Sequence, residues 1–174
     1  NNASTSYSSF IYECNEIVPP DDLEISNPNL LKIEVVSPPL LKNLQSKYIK
    51  KIDQVSSAVF PFVVKYDKYT LGGFGFTLSK YDKYDLFQIS DFCTNNAIPR
   101  LSKLILYCVL SVGVQKYLNR RMHKFINKVL SLAYTHKPVS MKYRGVYKKV
   151  KEQCTSSYLA YEGILGQYPT SKEI

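Results

Sequence analysis

The chain has 174 residues, 45% of them hydrophobic, with 23 Lys or Arg against 14 Asp or Glu and a formal net charge of +9. That length holds one domain with arms, and the apolar fraction suffices for a core, which excludes a wholly disordered tail. The charge is one-sided: from Phe92 to Lys151 there are thirteen Lys or Arg and no Asp or Glu, a pattern that points to a polyanionic partner.

Residues 1–30 open with a Ser/Asn/Thr-rich stretch and continue through Pro19-Pro20, Asp21-Asp22 and Asn27-Pro28. This density of turn-forming and helix-breaking residues predicts an extended arm. Leu31 to Val36 is a short β-prone run stopped by Pro38-Pro39. Leu40, Leu41, Leu44, Tyr48 and Ile52 then recur at helical spacing and predict an amphipathic helix near 40–53.

From 57 to 92 the residues turn β-branched and aromatic around Leu71-Gly72-Gly73-Phe74-Gly75, which predicts two strands joined by a glycine-rich turn. Lys65-Tyr-Asp-Lys-Tyr-Thr-Leu71 and Lys80-Tyr-Asp-Lys-Tyr-Asp-Leu86 are near copies flanking those glycines. The glycines lack the spacing of a phosphate-binding loop. Pro99 opens the strongest helical region, in which Leu101, Leu104, Ile105, Cys108, Val112 and Gln115 trace one face. In its continuation, 119–135, an apolar stripe of Met122, Phe125, Ile126, Val129 and Ala133 opposes Arg120, Arg121, Lys124 and Lys128. With no acidic residue inside this segment, its positive face reads as a phosphate contact. Gly113 inside this pattern reads as a kink, as the turn of a helix-turn-helix with Arg120 and Arg121 on the following helix, or as a close-packing point.

The site chemistry is sparse. Cys14, Cys93, Cys108 and Cys154 form no C-x-x-C pair, and His123 and His136 are the only imidazoles, so no metal and no cofactor are expected. No nucleophile elbow or H-E-x-x-H occurs, and the expectation is that the chain is not an enzyme. The apolar run Leu104–Val114 is well short of the roughly 20 residues of a membrane span.

Ser140-Met-Lys-Tyr-Arg-Gly-Val-Tyr147, Tyr158-Leu-Ala160 and Gly163-Ile-Leu-Gly-Gln-Tyr-Pro-Thr-Ser-Lys-Glu173 together resemble the AP2 DNA-binding domain. Tyr143-Arg-Gly-Val146 stands at that family's first strand, Tyr158-Leu-Ala160 at its second and Leu165-Gly-Gln-Tyr168 at its third. The resemblance implies a small antiparallel three-stranded sheet in which Arg144 contacts nucleic acid, with Lys142, Lys148, Lys149 and Lys151 on phosphates. The residues alone also read there as a basic, aromatic-interleaved strand pair.

The expected architecture is therefore α+β. It comprises an extended arm (1–30), a core (31–137) with a hairpin at 57–92 and helices over 99–135, and a partial AP2-like sheet module (138–174). The expected function is a structural RNA-binding component of a large ribonucleoprotein, as in a mitochondrial ribosomal protein, with rRNA and neighbouring ribosomal proteins as partners and the mitochondrial matrix as location. The alternative is a nuclear, AP2-type, sequence-specific regulator bound to duplex DNA. The residues expected to carry nucleic-acid binding are Arg120, Arg121, Lys124, Lys128, Lys142, Arg144, Lys148, Lys149 and Lys151.

Overall fold

A computed structural model describes residues 16–49, 58–79, 83–134, 145–151, 154–156 and 158–169. After a 3-10 turn at Pro28–Leu30 come β1 (Leu31–Val35), α1 (Pro38–Tyr48), β2 (Phe60–Tyr66), β3 (Tyr69–Leu78), β4 (Leu86–Cys93), α2 (Leu101–Val109), α3 (Val112–Met122), β5 (Lys128–Tyr134), β6 (Lys148–Lys149) and β7 (Tyr158–Ile164). The strands form one seven-stranded sheet in the order β1-β2-β3-β4-β5-β7-β6. Every neighbouring pair is antiparallel except β4–β5, which is parallel. A parallel pair needs a crossover, and α2 and α3 supply it.

The predicted strand after residue 30 and the helix after Ser37 form close to where the pattern placed them. Ser37 accepts a hydrogen bond from Leu40 N, and Pro38-Pro39 occupy the first turn of α1, where no N–H is lost. The glycine run behaves differently. Gly72, Gly73 and Gly75 lie within β3, and the β2–β3 turn falls at Asp67-Lys68, with Asp67 at φ 54°. Helices cover both faces of the sheet at this point, so β2 and β3 are buried almost continuously and carry no polar alternation to mark their ends. The second copy of the Lys-Tyr-Asp repeat begins outside the described residues.

Alternation along the strands assigns the two faces. Phe62, Val64, Phe74, Phe76 and Leu86 pack with Leu101, Ile105, Leu106, Val109, Val114 and Leu118 of α2 and α3. Val63 and Phe92 pack with Leu40, Leu41 and Leu44 of α1 on the opposite face. Phe62 sits at the centre of the first cluster, with ring centroids 5.1 Å from Phe74 and 5.4 Å from Tyr117.

The long helix expected from Pro99 onward is two helices. Ser111 caps the second by accepting from Val114 N, and the break is stitched to the C-terminal segment by Val112 N donating to Tyr168 O and Gly166 N to Leu110 O. The expected basic helix over 119–135 ends at Met122, and Lys128–Tyr134 is a strand inside the sheet. Val129 and Leu130 are both fully buried, on opposite faces of β5. Val129 belongs to the apolar stripe assigned to a helix face, whereas Leu130, buried on the other face of the strand, does not.

The three-stranded C-terminal module is not a separate sheet either. β7 pairs with β5 along its whole length, and β6 adds two residues at the far edge. Tyr143 and the Thr170–Glu173 segment lie outside the described residues. Cys108 is buried among the core residues, which pushes its thiol up to about 12. It is therefore expected to resist iodoacetamide in the folded protein and to react on unfolding in urea. Alkylation of native Cys108 at the rate of a free thiol would contradict this packing.

Candidate active site

The site grows from the single parallel pair. β4 and β5 register at Leu86↔Val129, Phe87↔Leu130 and Gln88↔Ser131, and there the pairing stops. β4 continues beside β3 as far as Cys93, and β5 continues beside β7 as far as Tyr134. The two halves of the sheet are thus no longer paired with each other past Gln88 and Ser131, at the carboxyl ends of two parallel strands. In open α/β sheets, the crevice outside such strand ends is where ligands bind.

A bulge sits just beyond the fork. Gly73 pairs with Phe92 and Gly75 with Ile89, so Ser90 and Asp91 of β4 stand opposite Phe74 alone. A bulge bends its strand and re-aims side chains, and bulges gather beside active sites. Asp91 lines a pocket of about 330 Å³ together with Tyr48, Ile49, Phe92, Cys93, Asn96 and Ser102. This pocket joins the end of β4, the end of α1 and the start of α2. Tyr48 Oη is buried within the protein and has no hydrogen-bond partner among the described residues.

The connection from β4 to α2 is fixed by its own hydrogen bonds. Thr94 Oγ1 donates to Thr70 O at 2.6 Å, Asn95 Oδ1 accepts from Ala97 N, and Asn95 Nδ2 donates to Pro19 O and Asp21. Arg100 takes the N-cap position of α2 in the left-handed conformation, at φ 62°, and no side chain caps the helix. The first-turn N–H donors of α2 thus have no side-chain cap, and Arg100 and Lys103 belong to the same turn. Such a helix start suits an anionic group. Among the described residues no group of three or more His, Cys, Asp or Glu could hold a metal ion.

The residues predicted to bind nucleic acid lie elsewhere. Arg120 and Arg121 end α3, where the helix dipole favours cations. Lys124 pairs with Asp85 at 2.5 Å, and Lys128 with Glu162 at 3.4 Å. Lys124 and Lys128 thus have acidic partners, which come from elements other than their own. Lys148 and Lys149 are exposed on the edge strand β6, where lysines discourage pairing with another chain, and Lys151 is exposed just after it. Lys142 and Arg144 lie outside the described residues. None of the seven described cations lines the pocket at the end of β4. The sequence reading missed Asp91, Tyr48, Gln88 and Arg100.

The sheet has one parallel strand pair, β4–β5, and α2 follows directly from the β4 strand of that pair. The chain belongs to the phage GNAT-like domain family, whose model matches residues 29–174. Its fold is similar to that of N-acetylglutamate synthase from Neisseria gonorrhoeae, solved with coenzyme A and L-arginine. The TM-score is 0.52 at 6% identity over 78% of this chain, which spans 33% of that enzyme. It is also similar to yncA from Salmonella typhimurium, solved with its cofactor acetyl-CoA, at a TM-score of 0.49 and 10% identity, over 80% of this chain and 96% of that one. No curated protein matches the sequence.

Membership in this family overturns the AP2 resemblance and the α+β arrangement built on it. It also overturns the ribosomal RNA-binding and transcription-regulator functions, the rRNA, ribosomal-protein and DNA partners, and the expectation that the chain is not an enzyme. The Tyr-Arg-Gly-Val and Leu-Gly-Gln-Tyr matches were local strand and turn signals, which unrelated folds share.

Proposed function

We propose that the protein is an N-acyltransferase that moves an acyl group from a coenzyme A thioester to an amine. The observation that carries the reading is the forked β4–β5 pair, bulged at Ser90-Asp91 and leading straight into the uncapped start of α2. It is supported by membership in a family named for its likeness to GNAT acetyltransferases.

The residues fit the donor substrate. The α2 N-terminus with Arg100 and Lys103 suits its pyrophosphate, and the β4 edge past Gln88, which is not paired with β5, offers backbone groups to its pantetheine amides. The thioester supplies an activated acyl carbon. Transfer forms a carbon–nitrogen bond, breaks the carbon–sulfur bond, and moves one proton from the attacking amine and one to the leaving thiolate. Asp91, at the bulge and in the pocket, is the carboxylate placed to hold the incoming ammonium group and take its proton. The orphaned Tyr48 hydroxyl gives the acceptor a hydrogen-bond partner in the same pocket.

The test measures acetyl-CoA binding by calorimetry and thiol release in the presence of a panel of primary amines. Binding is expected, together with amine-dependent thiol release. Exchanging Arg100 and Lys103 for Glu is expected to weaken binding by about tenfold or more, since hydrogen bonds to charged groups contribute roughly 1.5–3 kcal/mol each. Absence of any acyl-CoA binding would remove the proposal.

A further inference from the structure

Gly145–Tyr147, the segment read from sequence as part of a DNA-binding strand, turns inward. Gly145 has φ +79°, a conformation that side chains other than glycine rarely adopt, and the next two residues, Val146 and Tyr147, are each only 8% exposed. A gap receives the Tyr147 ring: a Cβ on Gly163 of β7 would lie 2.6 Å from Tyr147 Cε2 and 2.8 Å from a Leu110 methyl. Two glycines thus place one phenol under the sheet fork.

At the fork the Tyr147 hydroxyl donates to Gln88 Oε1, and Gln88 Nε2 donates to Asp91 Oδ1 at 3.4 Å. Gln88 is 4% exposed and stands opposite Ser131, itself 3% exposed, at the last register of the parallel pair. A buried amide costs stability unless both its ends are satisfied. Because a phenol O–H that donates takes the amide oxygen, the amide nitrogen is turned the other way, toward Asp91. We propose that Tyr147 and Gln88 form a buried relay that sets the direction of the Asp91 carboxylate, making both of them positioning residues of the acyl-transfer site. The relay couples the segment after β5 to the bulge of β4, and its catalytic consequence rests on the acyltransferase reading and on the role given there to Asp91.

The test has one arm that needs no activity. In a 15N-resolved NMR spectrum, the Gln88 side-chain amide pair is identified by its absence in Gln88→Glu. Tyr147→Phe and Asp91→Asn are each expected to displace it, and Gly163→Ala, which pushes the ring from its gap, is expected to reproduce the Tyr147→Phe shift. An amide pair unmoved by Tyr147→Phe or by Asp91→Asn overturns the relay, whether or not the protein transfers acyl groups. The second arm is a double-mutant cycle on turnover. Gln88→Glu is expected to lower kcat by up to about 100-fold, the scale of a misplaced reacting group, while the KM for acetyl-CoA holds. Adding it to Asp91→Asn is expected to cause no further loss, and losses that multiply overturn the relay. If the wild-type chain transfers no acyl group at all, the functional reading fails and the amide spectrum still decides the relay.

Discussion

Asp91→Asn is expected to slow acyl transfer to an amine by about 10²- to 10⁴-fold, the range that a positioned acid–base group contributes. Acetyl-CoA affinity and the thermal transition should stay close to wild type. Three features lead to this expectation. Asp91 lies on the bulge past the end of the β4–β5 pairing, it lines the pocket shared by α1, α2 and β4, and Asn preserves its shape while removing its charge. The measurement is thiol release under saturating acetyl-CoA across an amine series. Loss confined to turnover fits a proton acceptor, and a rise in the acceptor's KM alone fits an anchor for the ammonium group. Full activity in Asp91→Asn would place the chemistry on another residue.

What the sequence disclosed depended on how local its signals were. β1 and α1 were legible because Pro38-Pro39 and Ser37 punctuate them and because α1 buries one stripe, Leu40, Leu41 and Leu44. The centre of the sheet was not. β2 and β3 are covered on both faces, so periodicity disappears and glycines inside a strand resemble a turn. Lys128–Tyr134 reads as helix from sequence because Met122, Phe125, Ile126, Val129 and Ala133 also fit a 3.6-residue repeat, and only the pairing with β4 and β7 arbitrates.

The candidate site was hidden for a related reason. A search for a phosphate site looks for glycines, whereas the left-handed residue opening α2 is Arg100 and the loop from Thr94 to Arg100 contains no glycine. Asp91 carries no motif: its position depends on a register shift between two strands, which one strand's sequence does not display. The basic half of the chain was visible and misleading. Lys124 and Lys128 are offset by Asp85 and by Glu162, residues far away in the chain that a helix-local count of charges does not include.

Gly72→Ala is expected to be among the most damaging single substitutions in the chain. A methyl group there would lie 2.1 Å from the carbonyl oxygen of Phe92 and 3.0 Å from Ile105 Cδ1. The first is backbone of the neighbouring strand and cannot rotate away, while the second belongs to a fully buried residue of α2. Ordinary overpacking costs about 1–3 kcal/mol because side chains shift to absorb it. Here β4 itself must move, so the loss is expected to reach or exceed the upper end of that range. The same displacement would drag the bulge, since Gly72 and Gly73 pair with Cys93 and Phe92 immediately after Ser90-Asp91. Urea unfolding should therefore show a lowered midpoint, and acetyl-CoA binding should weaken even under conditions where the variant remains folded. A Gly72→Ala protein with wild-type stability and wild-type binding would mean that β3 and β4 do not approach as described, and that the bulge is not held by the glycine pairings that flank it.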